Sequence, residues 1–256
     1  MDMATDTLER PTRATGGEAE RVRRRLGELD WEALAHDLDR DGYAVTPRPL
    51  ITAAVADQLR AGFDDDRLYR STVHMARLQY GEGVYRYFRD PLPEVVEALR
   101  EAAYPPLAIV ANRWAVRLGS RDRFPDRRSE LARRCRAVGQ TEPTPLVLRY
   151  RAGGFNALHQ DIYGEIAFPL QLAVPLTEPG RDYTGGENLL VEQRPRAQSR
   201  GTAITVPWGH GLIFPNRHRP VRGRRGDYRV TVRHGVSTVR SGERLTLGII
   251  FHDARP

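Results

Sequence analysis

An α+β fold is predicted for this 256-residue chain, with a β-sandwich or barrel supported by helices on one face. Three observations predict it. Apolar residues recur at helical spacing through roughly the first 140 residues, β-branched residues and glycine pairs take over from about Leu146, and no helical pattern interrupts the strands that follow.

Residues 1–18, rich in Thr, Glu, Gly and Arg, carry too little apolar surface to order themselves and are expected to form a flexible tail ahead of one domain over 19–256. Val22, Leu26, Leu29 and Trp31 lead helically into Leu34 and Leu38, and Gly42 to Thr46 reads as a short strand. A second helix from about Thr52 to Phe63 puts Ala53, Val55, Leu59 and Phe63 on one side. A third runs from Pro93 to about Ala103 and is expected to stop before Pro105-Pro106, because proline removes a donor and clashes with the preceding turn. Leu107 to Leu118, carrying Trp114, forms a separate helix, and an Arg-rich helical stretch follows. Together these make 19–140 mainly helical support. Seven strands are expected over 141–256: 146–150, 166–176, 187–193, 203–206, 211–214, 228–234 and 245–251, separated by turn clusters such as Arg151-Ala-Gly-Gly and Gly223-Arg-Arg-Gly.

Composition narrows the chemistry. Cys135 is the single cysteine, so no intramolecular disulfide or thiolate cage can form, and a metal would need His and carboxylate ligands. A reducing, cytoplasmic setting is expected. The N-terminus is no secretory signal, and no apolar run approaches the roughly 18 residues of a membrane span, so the reading is a soluble protein. All 40 basic residues are Arg, and the net charge of +7 is uneven. From Leu190 onward 13 Arg face four acids, a net +9, while the preceding residues carry −2. An anionic partner such as nucleic acid is one explanation, with Arg217, Arg219, Arg222, Arg224 and Arg225 as its contacts; a solvated surface shaped by compositional bias is the other.

His159-Gln160-Asp161 places an imidazole and a carboxylate two residues apart, on one face of an extended segment. Alone, such a pair is more often a surface contact than a ligand set. A facial 2-His-1-carboxylate site needs a second imidazole and leaves positions open for substrate and oxygen. His234 is chosen for that role, because it ends an alternation in which Tyr228, Val230 and Val232 share its face. His210 and His218 sit in turn-rich segments, and His252 lies near the chain end. Arg244 opens the last apolar strand, and a guanidinium there requires an anion. A protein carboxylate would serve, as would the distal carboxylate of a dicarboxylate such as 2-oxoglutarate, with Thr246 on the same face adding a hydroxyl.

With these residues in place, the C-terminal half resembles the iron(II)/2-oxoglutarate-dependent oxygenases, whose core is a double-stranded β-helix, or jelly roll. The resemblance implies His159, Asp161 and His234 as iron ligands and Arg244 and Thr246 as the cosubstrate pair. Tyr150-Arg-Ala-Gly-Gly…Leu158-His-Gln-Asp resembles the alkylated-DNA repair dioxygenases of the AlkB type, which makes Tyr150 a further cosubstrate contact. The stretch from His234 to Phe251 is closer to the prolyl hydroxylases. More narrowly, 43–254 resembles a bacterial family labelled as an oxygenase acting on damaged DNA. The carrying segments include Arg70-Ser-Thr-Val-His-Met-Ala-Arg, Ala111-Asn-Arg-Trp, Phe155-Asn-Ala-Leu-His-Gln-Asp-Ile-Tyr-Gly and Glu192-Gln-Arg-Pro-Arg-Ala-Gln-Ser. There are departures from the repair enzymes: Leu148, Ile250 and His210 stand where they carry Asn, a second Arg and Asp.

The implied cofactors are iron(II), 2-oxoglutarate and O2, and the implied reaction is hydroxylation or oxidative demethylation at a substrate C–H bond, such as that of an alkylated nucleic-acid base. The alternatives are a hydroxylase of an amino acid, peptide side chain or natural product, and a non-catalytic jelly-roll binding protein. Asn156, Tyr163, Glu165, Gln193 and Arg194 are the expected substrate contacts.

Overall fold

The computed structural model describes residues 15–256. The predicted tail lies outside the described residues up to position 14. Beyond that it is corrected, because Thr15 opens helix α1 (Thr15–Gly27), and Glu18 accepts a hydrogen bond from Thr52 Oγ1.

Helix α2 (Trp31–Asp41) is capped by Asp30, whose carboxylate accepts from Ala33 N, and ends at Gly42 in the left-handed conformation (φ 84°). Glycine is required there twice over, since a Cβ would stand 2.7 Å from both Arg219 Nε and Glu192 Oε1. Strand β1 (Ala44–Val45) and helix α3 (Ala53–Ala61, capped by Thr52) follow as expected. Helix α4 (Glu94–Arg117) corrects the expectation of two helices, because it runs unbroken through Pro105-Pro106. Ala103, Tyr104, Leu107 and Ala108 are all buried around the prolines, so tertiary packing outweighs the lost backbone donors. The Arg-rich stretch is helix α5 (Arg128–Ala137).

The N-terminal half also carries strands that the sequence reading did not assign: β2 (Tyr69–His74), β3 (Gly81–Glu82) and β4 (Val84–Phe88). The C-terminal strands are β5 (Leu146–Arg151), β6 (Phe155–His159), β7 (Leu170–Pro175), β8 (Tyr183–Gly185), β9 (Asn188–Gln193), β10 (Arg200–Ile204), β11 (Leu212–Pro215), β12 (His218–Gly223), β13 (Gly226–Val236) and β14 (Val239–Ile250). All seven expected strands are among them; β6, β8 and β12 are additional.

These strands form two antiparallel sheets. The larger has the order β1-β11-β7-β14-β5-β4-β2, with β8 paired to the start of β14; the smaller has β10-β9-β13-β6-β3, with β12 beside β13. Alternation on β14 sends Leu245, Leu247 and Ile249 into the core shared with α1 and α4, while Arg244, Thr246, Gly248 and Ile250 face the interior between the sheets. The opposite wall packs Leu190, Val230 and Val232 against Leu212 and Phe214. The result is the predicted jelly roll with helices on one face. No described helix is long and apolar enough to cross a membrane.

Candidate metal centre

Strands β6 and β13 pair antiparallel, and their register sets His159 directly opposite His234, with ring centroids 4.3 Å apart. Asp161 follows just beyond the end of β6 and turns back beneath both rings. Its Oδ2 lies 3.0 Å from His234 Nε2 and its Oδ1 3.5 Å from His159 Nε2. Ligand atoms of the three residues all fall within 4.8 Å of one another, so one ion can touch all three. His159 Nδ1 donates to Ala157 O (2.7 Å), which leaves its Nε2 lone pair free. Gln171 Nε2, from β7, stands 3.2 Å from His234 Nε2, and the Phe214 ring packs edge-on to the imidazole at 5.0 Å.

The electrostatics suit a cation. Burial alone would raise the Asp161 carboxyl, but His234 and His159 beside it hold it well below the usual carboxylate range. Burial pushes His234 down, toward the neutral form a ligand needs. His159 is raised: burial works against the charge, but the hydrogen bond and charge of Asp161 together with the Ala157 carbonyl more than offset it.

A cavity of about 480 Å³ opens over this cluster. Across it lies Arg244, buried, donating through Nη2 to Asn188 Oδ1 (3.0 Å) and stacked 5.5 Å over the Tyr150 ring. No ion pair of Arg244 occurs among the described residues, and the buried atoms Arg244 Nε, Thr246 Oγ1 and Tyr150 Oη have no hydrogen-bond partner. A bidentate carboxylate with further acceptor oxygens fits what these donors need. Tyr150 does not line the cavity itself; it packs beneath Arg244, in the space left by Gly83, where a Cβ would stand 2.7 Å from the Tyr150 ring.

Of the expected substrate contacts, Asn156 and Tyr163 line the cavity. Glu165 is exposed and borders a different hollow against α4. Gln193 hydrogen-bonds within its own turn, to Arg194 O and Ala197 O, and Arg194 lies 3.5 Å from Glu192. Neither borders the cavity. The basic patch is also corrected at one member. Arg219 is buried and paired with Glu192 (2.5 Å), because residues of β12 and β13 alternate between the barrel interior and solvent. Tyr85 and Tyr87, Gln171 and Phe214 also line the cavity and were not expected there. The polar Gln171 inside an otherwise apolar strand was a usable signal. Tyr85 and Tyr87 required knowing that β4 joins the barrel sheet.

Solved oxygenases share this fold. A 2OG-Fe(II) oxygenase family oxidoreductase from Burkholderia pseudomallei aligns with TM-score 0.52 at 16% identity, over 89% of this chain and 94% of its own. A prolyl hydroxylase of Trichoplax adhaerens, solved with a hypoxia inducible factor peptide, aligns with TM-score 0.52 at 14% identity, over 94% of each chain. The α-ketoglutarate-dependent epimerase SnoN of nogalamycin biosynthesis aligns with TM-score 0.51 at 14% identity, over 88% of this chain and 85% of its own. These likenesses show the fold, which carries the His159–Asp161–His234 cluster in its cavity. The chain belongs to the Oxygenase-NA family of oxygenases, described as "Oxygenase, catalysing oxidative methylation of damaged DNA", whose model matches residues 83–254. Two uncharacterized Mycobacterium tuberculosis proteins, MT2286 and Rv2227, are each 54% identical over 167 residues, 65% of this chain and 72% of theirs.

Proposed function

We propose that this enzyme hydroxylates a C–H bond of a group held in the 480 Å³ cavity, with His159, Asp161 and His234 holding iron(II), Arg244 and Thr246 holding 2-oxoglutarate, and Tyr150 supporting Arg244 from beneath. The carrying observation is the pairing of a three-ligand cluster with a buried arginine that lacks an acid partner, on facing walls of one cavity. Bound together, iron(II) and 2-oxoglutarate supply oxygen activation coupled to decarboxylation of the cosubstrate to succinate and CO2. The protein's contribution is placement. The β6–β13 ladder fixes the two imidazoles, Asp161 completes one face, and Arg244 orients the cosubstrate from the opposite sheet. Leu148, Leu190, Leu212 and Phe214 exclude water from the reacting groups. Core continuity from α1 through β14 supports one catalytic unit over 19–256, and the free, buried Cys135 accords with a reducing cytoplasm.

The family description supports an alkylated nucleic-acid base as substrate, in which case hydroxylation of an N-methyl group releases formaldehyde. One observation favours a neutral small molecule or side chain instead. Tyr80 and Leu158, each 40% exposed or more, stand on the cavity wall itself and give its mouth an apolar rim. Arg217, Arg222, Arg224 and Arg225 do not line that cavity.

Succinate release from 2-oxoglutarate, assayed with and without iron(II) across methylated oligonucleotides and neutral small molecules, tests both levels. A protein giving no succinate with any iron loading would sink the oxygenase reading. Turnover of a methylated oligonucleotide whose binding falls steeply with salt would select the base.

A further inference from the structure

We infer that Tyr163 and Tyr87 form a hydrogen-bonded pair that positions Asp161 for the metal, a role that rests on the iron-binding reading above. Tyr163 comes two residues after Asp161 and turns to the same side, so both face the cavity. Its hydroxyl donates to Asp161 Oδ1 at 2.6 Å. Tyr87 Oη, from β4, donates in turn to Tyr163 Oη at 3.1 Å, and the rings meet edge-on at 6.3 Å. The Arg70 guanidinium sits 4.8 Å over the Tyr87 ring and is itself held by Pro143 O (3.0 Å) and by Glu142 (3.5 Å).

A hydrogen bond to one carboxylate oxygen fixes the side-chain rotamer and commits that oxygen to the protein. Oδ2, 3.0 Å from His234 Nε2, is then the oxygen presented to an ion. Asp161 depends on such support more than the histidines do. Their rings stand on paired strands, whereas Asp161 lies in the segment between β6 and β7, outside any ladder. The same pair links Arg70 and β4 to the site. They reach the metal ligand through two phenols.

Affinity for iron(II) alone, measured anaerobically by competition with a chromogenic chelator, tests this without turnover. Tyr163→Phe keeps ring and packing but removes the donor, and should weaken iron(II) binding by about 10- to 100-fold while the melting temperature of the metal-free protein stays unchanged. Tyr87→Phe should weaken it in the same direction by less, since Tyr163 keeps its own bond. Unchanged iron(II) affinity in Tyr163→Phe, with only a raised substrate KM, would make the pair mere substrate contacts and overturn the inference. Wild-type protein that fails to bind iron(II) would overturn the underlying metal site instead, and the positioning role with it.

Discussion

Arg244 and Tyr150 stand opposite each other in the β14–β5 ladder, the guanidinium 5.5 Å from the ring centre. An arginine buried this way, with no ion pair among the described residues, suits a ligand that brings a carboxylate.

Arg244→Leu should therefore raise the KM for 2-oxoglutarate by about 30-fold or more, equivalent to about 2 kcal/mol, and leave the ligand-free protein as stable as before or more so. Arg244→Lys should fall between, having charge without the planar fork. Steady-state kinetics and thermal melting check this. A destabilised Leu variant with normal cosubstrate affinity would assign Arg244 to the core.

Replacing His234 or Asp161 by Ala should abolish both iron(II) binding and succinate release. His218→Ala should preserve both, since His218 lies on β12, away from the cavity wall. The weak visible charge-transfer band of the iron–2-oxoglutarate complex, titrated anaerobically, reads the outcome.

Glu192 and Arg219 form a buried pair with 2.5 Å between Oε1 and Nε. Glu192→Leu, which strands the guanidinium, should cost about 3–5 kcal/mol, and Arg219→Met added to it should recover most of that loss. Denaturant midpoints measure both. Substituting Arg224 and Arg225, exposed in the turn between β12 and β13, should change stability by less than about 0.5 kcal/mol.

His252 is fully buried, its Nδ1 accepting from Phe168 N (3.1 Å), and burial together with Arg100 pushes it down to about 4. Between pH 6.5 and 4 the unfolded chain takes up a proton at this residue that the folded protein refuses. Its contribution is therefore complete above pH 6.5 and is lost as pH falls toward 4, by about 3 kcal/mol in all. His252→Asn, which retains an acceptor for Phe168 N, should flatten urea-derived stability over that window. An unaltered slope would show that His252 titrates normally.

Legibility in the sequence followed the range of the contact. His159 and Asp161 were readable because two residues along an extended chain return to the same side, and Arg244 and Thr246 because a charge on an apolar strand has to be accounted for. His234 was readable from alternation, although its partner depends on the register of β13 against β6. Tyr87 was not readable. Its value comes from a hydroxyl that meets Tyr163 across 76 positions of chain. Pro105-Pro106 misled for the converse reason. Local rules end a helix there, but Tyr104 and Leu107 are buried on either side and the helix continues. Arg219 was assigned to the surface by composition, when alternation along β12 turns it inward to Glu192.

The pairing of His234 with His159, followed by a bulge before Val236, leaves little room for insertions or deletions nearby. Side chains alternate between the two faces of a strand, so a shift of one residue in β13 would turn the imidazole outward and bring Arg233 or Gly235 to its place. The hairpin from β12 to β13 could absorb such a change at its exposed Arg224-Arg225 tip and the barrel could still close. Length variation among relatives should therefore gather at that tip, while any offset carried into β13 itself would leave a folded barrel unable to assemble its ligands.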